Sequence, residues 1–146
     1  MLDTLDNMTP VEARHAIRRG DWDKPTSGYC PGYAQANLII LPKEDAYDFL
    51  LCAQRNPKPC PLLEVTEVGA RNTTICADDC DIATDFPRYR IYEDGVMVDE
   101  VTDVSDHWRD DLVSFVIGCS FSFESDLIDA GIEMRHNTMG RNVSMY

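Results

Sequence analysis

Apolar and polar positions alternate along this chain in short blocks, each with the period of one kind of element. In TPVEARHAIRRG (residues 9–20) the boundaries are explicit. Thr9 is placed as N-cap, Pro10 as the first helical residue, Glu12 as the second half of a capping box and Gly20 as the stop, which predicts a helix carrying His15. GDWDKPTSGYCPGYAQ follows, rich in Gly, Pro, Ser and Asp, and reads as a loop. ANLIILP has the length of a buried strand, ended by Pro42. In KEDAYDFLLCAQRN, Ala46, Phe49, Leu50 and Ala53 recur at helical spacing, and Glu44 and Asp45 sit in the first turn, so a helix follows the strand.

The middle of the chain changes character. NPKPCP alternates prolines, which fix φ and remove amide donors, and predicts a stiff extended segment holding Lys58 and Cys60. PLLEVTEV reads as a strand. RYRIY and VMVDEV flank Glu93-Asp94-Gly95, and Asp-Gly between two such runs predicts a hairpin. From Ser105 onward, Trp108, Leu112, Phe115, Val116 and Cys119 are spaced for one face of a helix, although VSFVIGCSF alone also suits a strand. The small polar interruption GCSFSFE (118–124) then precedes FESDLIDA, predicted as a second helix capped by Ser122 and closed by Gly131, with Glu124 and Asp126 near its positive end. A helix start attracts anions, which makes Cys119, Ser120 and Ser122 candidate ligand contacts. As an alternative, Ser122 is only a cap, Cys119 a small buried residue and Gly118 a turn.

Composition narrows the function. With 13 basic and 26 acidic residues among 146, the formal charge is −13, which repels phosphate backbones and anionic membrane surfaces. Nucleic acid and membrane are therefore not expected partners. A chain of this length is enough for one domain with a real core. The start MLDTLDNMTP has neither a basic segment nor an apolar run, so a cytoplasmic, reducing location is expected. In that setting the six cysteines are read as thiols. Cys76 and Cys80 come closest to metal spacing but lack a second close pair or nearby histidine. Without a dinucleotide fingerprint, a phosphate loop or a dense metal motif, no cofactor and no metal is assigned.

Five blocks carry a resemblance: PGYAQANLIILP, NPKPCPLLEV, DFPRYRIYEDG, WRDDLVSFVIGCSFSFE and the ending GRNVSMY. In this order and approximate spacing they resemble the hydro-lyase family whose animal mitochondrial relative is D-glutamate cyclase. Ser144 stands where that family has Pro, and the family continues beyond Tyr146, so the chain is expected to be the amino-terminal part of a longer protein. The resemblance implies a mixed α/β fold, with a three-layer region and a smaller two-layer α+β region. The expected division assigns 1–60 and 104–146 to the first and 61–103, with the hairpin, to the second. It also implies carbon–oxygen lyase chemistry, which in D-glutamate cyclase closes D-glutamate to 5-oxo-D-proline with loss of water.

Such chemistry needs a cation for a carboxylate, a base, and an acid that helps an oxygen leave. His136 is the candidate acid or base, with Glu124 sharing the proton work. Arg109 or Arg141 is the carboxylate clamp, and the Cys119–Ser122 backbone the holder of developing negative charge. Ion pairing of Arg109 with Asp106 or Asp110, and a solvent-facing Arg141, are the plainer readings. Lys58 is a second cation, and Ser120, Ser122 and Asn142, the last beside Gly140, are polar contacts for substrate. Asn37 and Gln35 are further hydrogen-bonding candidates, unless their amides serve the backbone. The expected partner is a small carboxylic or amino acid, and a homo-oligomer is allowed. Two other classes stay open: a non-catalytic carboxylate binder, and a thiol-dependent hydrolase or transferase built on Cys119. An inactive fragment of the longer enzyme is the remaining alternative.

Overall fold

A computed structural model describes residues 1–141, apart from the side chains of Ser120 and Phe121. Its first element is helix α1, Pro10–Arg18. The capping box is formed: the Glu12 amide donates to Thr9 Oγ1 at 3.3 Å, and the Thr9 amide donates to the Glu12 carboxylate at 2.8 Å. Gly20, at φ +73°, ends the helix, with its amide donating to the Ile17 carbonyl. The inner face of α1, Ala13, Ala16 and Ile17, packs with Leu5 and Trp22 in a small core of its own.

Strand β1, Ala36–Pro42, leads directly into helix α2, Lys43–Arg55. Strand β2 is Leu62–Val65, and strands β3, Tyr89–Glu93, and β4, Val96–Val101, form the hairpin. Asp94 and Gly95 at its tip have φ of +47° and +78°, the left-handed pair that a two-residue turn requires. NPKPCP departs from the extended expectation. It folds into a turn in which the Cys60 amide donates to the Asn56 carbonyl at 3.0 Å, because proline at non-donating positions suits a turn as well as an extended chain.

The largest correction concerns residues 105–119. A short 3-10 turn, Ser105–His107, is followed by strand β5, Leu112–Gly118. β5 is the centre of a three-stranded antiparallel sheet in the order β1-β5-β2. Its helical spacing arises because both faces are buried: Val113, Phe115 and Ile117 on one, Ser114 and Val116 on the other. With every side chain inside, the two-residue alternation that marks a half-exposed strand disappears. Two neighbouring strands then satisfy its backbone.

Helix α2 covers one face of this sheet. Ala46, Phe49 and Leu50 pack on Val113, Phe115 and Ile117, with the Phe49 and Phe115 rings edge to face at 4.8 Å. On the other face Leu38 joins a cluster of Ala83, Tyr89 and Val104, which brings in the hairpin. The result is a mixed α/β arrangement with antiparallel sheets. Beyond β5 come a 3-10 turn, Ser120–Phe123, helix α3, Glu124–Asp129, and the single-turn helix α4, Arg135–Thr138. Among the described residues no helix is long and apolar enough to cross a membrane.

Candidate functional site

The glycine-rich segment 27–33 and the elements after β5 enclose a cavity of about 210 Å³. Three of the loop's residues, Gly28, Cys30 and Gly32, have φ of +85°, +50° and +84°. Only a chain with repeated left-handed positions curls this tightly, which explains the glycines. The opposite wall comes from α3 and α4. There, His136 Nε2 lies 2.9 Å from a Glu124 carboxylate oxygen. Their side chains are 16% and 12% exposed, so the pair is largely withdrawn from water while bordering the cavity. An imidazole and a carboxylate in hydrogen-bond contact form an arrangement suited to giving and taking protons. Arg141 also lines the cavity, and its amide donates to the His136 carbonyl at 2.8 Å.

Five of the residues read from the sequence are thus gathered here: His136, Glu124, Ser122, Arg141 and Gln35. Others lie apart. Arg109 is exposed and forks onto Asp111 at 2.9 and 3.3 Å, a partner two residues away rather than Asp106 or Asp110. Lys58 is exposed on the NPKPCP turn. Cys119 is half-buried and is not among the described lining, while Ser120 belongs to the 3-10 turn. Asn142, like Ser144, lies outside the described residues.

The helix-start reading of GCSFSFE is corrected. α3 is six residues long, its N-cap is Phe123, and no side chain caps it. The Ser122 hydroxyl instead accepts from the Gln35 amide at 2.8 Å. That amide lies one residue before the β1–β5 pairing begins at Ala36 and Gly118, so it has no ladder partner, and the hydroxyl supplies one. The Cys119 amide donates to the Gln35 carbonyl and the Ser122 amide to the Cys119 carbonyl, so these two donors are not directed at a ligand. Sequence reasoning passed over the 27–33 loop as a connection. The signal was there in SGYCPGY, whose spaced glycines mark a backbone that must take special conformations. Among the described residues no group of His, Cys, Asp and Glu side chains is arranged to hold a metal ion.

A family model described as D-glutamate cyclase matches residues 113–146, a span that runs from β5 through Glu124, His136 and Arg141. Relatives match over the whole chain. A protein of Clostridium beijerinckii named "Putative hydro-lyase" is 60% identical over 139 residues, which are 95% of this chain and 53% of that protein. One of the same name from Psychrobacter arcticus is 56% identical over 146 residues, 100% of this chain and 55% of its own length. The chain belongs to this hydro-lyase family, related to D-glutamate cyclase. A further hydro-lyase family member, YcsI of Bacillus subtilis, is 55% identical over 95% of the chain and 54% of its own length. The chain thus spans about half the length of the curated relatives it matches. The stretch reached by the family model supplies the His136–Glu124 wall of the cavity, and the glycine loop that faces it lies upstream of that stretch.

Proposed function

We propose that the cavity binds a small carboxylic or amino acid and takes part in carbon–oxygen lyase chemistry, with His136 and Glu124 as the proton-transfer pair. The observation that carries this reading is the 2.9 Å contact between them on the wall of a cavity also lined by Arg141. A guanidinium can fork onto a carboxylate, which gives Arg141 the role of holding the acid group of the substrate. The family relationship makes D-glutamate the first substrate to try. In that reaction the amine nitrogen forms a bond to the side-chain carboxyl carbon, the ammonium gives up protons to a base, and one carboxyl oxygen leaves as water with protons supplied by an acid. A histidine and a carboxylate within hydrogen-bond reach of each other can serve both steps in turn.

The test follows 5-oxoproline by NMR with D-glutamate and L-glutamate in separate incubations, using this chain and the Bacillus subtilis relative side by side. His136→Asn and Glu124→Gln should each lower turnover by about 10²-fold or more. Arg141→Ala should raise KM for the acid more than it lowers kcat. If the wild-type chain and the relative are both folded and neither consumes either enantiomer, the D-glutamate assignment is overturned. A non-catalytic carboxylate binder would instead lose affinity in Arg141→Ala and keep it in His136→Asn.

A further inference from the structure

The two walls of the cavity come from distant parts of the chain, and among the described residues Gln35 hydrogen-bonds to both. The Gln35 side chain reaches back to the glycine loop: Nε2 donates to the carbonyls of Thr26 at 3.3 Å and Tyr29 at 3.0 Å, and Oε1 accepts from the Thr26 hydroxyl at 3.2 Å. Its main chain faces the other way. The Gln35 amide donates to Ser122 Oγ at 2.8 Å, and its carbonyl accepts from the Cys119 amide at 3.3 Å and from the Ser122 hydroxyl at 3.4 Å. Both side-chain amide hydrogens are therefore occupied within the protein, and none is left to donate to a ligand.

The consequence is mechanical. Ser122 is two residues before Glu124, so what fixes Ser122 also fixes the start of the segment that carries the proton-transfer pair. Residue 35 in turn precedes β1, which is paired along seven positions with the buried strand β5. The loop's other hydrogen bonds are local or few: the Tyr29 amide bonds Thr26, the Tyr33 amide bonds Cys30, and the Cys30 thiol donates to the Met8 carbonyl at 3.3 Å, while Tyr29 and Cys30 pack on the α1 core, with the Tyr29 ring edge to face with Trp22 at 5.3 Å.

We propose that Gln35 and Ser122 are positioning residues for the cavity: the Gln35 side chain sets the glycine loop, its main chain with Ser122 sets the Glu124 segment, and the distance between the walls is fixed at this one junction of the sheet. This rests on the cavity being the reactive site. The two substitutions therefore have different and separable effects. Gln35→Met keeps the length of the side chain and its backbone bonds but releases the loop. Ser122→Ala releases the Glu124 segment and leaves the loop held.

Hydrogen exchange of individual amides in the 146-residue chain tests the junction without any substrate. In Gln35→Met, exchange at the Tyr29 and Tyr33 amides should rise about tenfold, the loss of roughly one net hydrogen bond or slightly more, with the β5 amides unchanged. In Ser122→Ala, the Gln35 amide should exchange faster while Tyr29 and Tyr33 stay as in the wild type. Unchanged exchange at these sites, or an equal rise in β5, overturns the proposal. Where D-glutamate turns over, Gln35→Met should raise KM with kcat within about twofold, and Ser122→Ala should lower kcat with KM steady. An absence of turnover in the wild type would overturn the substrate reading alone, since the exchange pattern judges the junction by itself.

Discussion

Glu64 shows how far a single residue can depart from its local pattern. In PLLEVTEV the alternation suggests that leucine faces inward and glutamate outward, yet Leu63 is 40% exposed and Glu64 only 5%. The reason lies ten residues on. Backbone amides of Thr74, Ile75 and Cys76 all point at the Glu64 carboxylate, at 2.5, 3.1 and 2.7 Å, and the Thr74 hydroxyl adds a fourth donor at 3.0 Å. Burial pushes this carboxyl up, but the converging donors outweigh it and hold the group down to about 2. An unfolded glutamate titrates near about 4.3, so the stabilisation is complete above that pH and is lost as the pH falls through about 2. Urea unfolding measured from pH 7 downward should therefore show a decline that Glu64→Gln flattens, and that substitution should cost about 3 kcal/mol at neutral pH by leaving three amides with a poorer acceptor. The neighbouring Cys76 thiol, on a residue that is exposed overall, is raised to about 11 by partial desolvation of its sulfur first and then by Glu64. At pH 8 its alkylation by iodoacetamide should run about a hundredfold slower than that of free cysteine, and Glu64→Gln should quicken it. A different case is Ser114, which is fully buried on β5, with an Oγ that has no hydrogen-bond partner among the described residues. Ser114→Ala should raise stability by up to about 1 kcal/mol, read as a shift of the unfolding midpoint in urea.

At the scale of elements, β5 decides the architecture. Its sequence LVSFVIG carries the β-branched residues of a strand, but the apolar positions upstream and downstream also fit a helical face, and only pairing with β1 and β2 selects between them. Phe115, 1% exposed and edge to face with Phe49, is where the sheet and α2 meet. Phe115→Ala should lower unfolding free energy by about 4 kcal/mol in equilibrium denaturation. Elements whose signals are local were legible from the sequence. The α1 box, the Pro42 end of β1, the α2 face and the Asp94-Gly95 hairpin each depend on residues within a few positions of one another. The cap on α3 was not, because Ser122 hydrogen-bonds a residue 87 positions away.

At the scale of the whole molecule, α1 is held against the segment before the hairpin by charge. Asp85, with its side chain wholly buried, accepts two bonds from the Arg18 guanidinium at 2.7 and 2.8 Å and one from the Asp81 amide at 2.9 Å. Arg18 is held above its ordinary value chiefly by its hydrogen bonds to Asp85. Asp85→Ala leaves a partly buried guanidinium without its partner and should cost about 3 to 5 kcal/mol, with limited proteolysis cutting first between α1 and the loop that follows it. Of the candidate site, the sequence by itself supplied the inventory of side chains, His136, Glu124 and Arg141, on which the proposed proton transfer and carboxylate binding rest, and the family resemblance over nearly the whole chain. It also determined the elements whose caps, breakers and periodicity lie within one or two turns, since those forces act between neighbours. Only the tertiary structure decided that β5 is a strand, that Glu64 faces inward, and that the glycine loop closes over His136 and Glu124 while Arg109 and Lys58 stay outside. The physical reason is shared: each of these outcomes is a hydrogen bond or a burial completed by a partner far along the chain, and local spacing carries no record of which partner that will be.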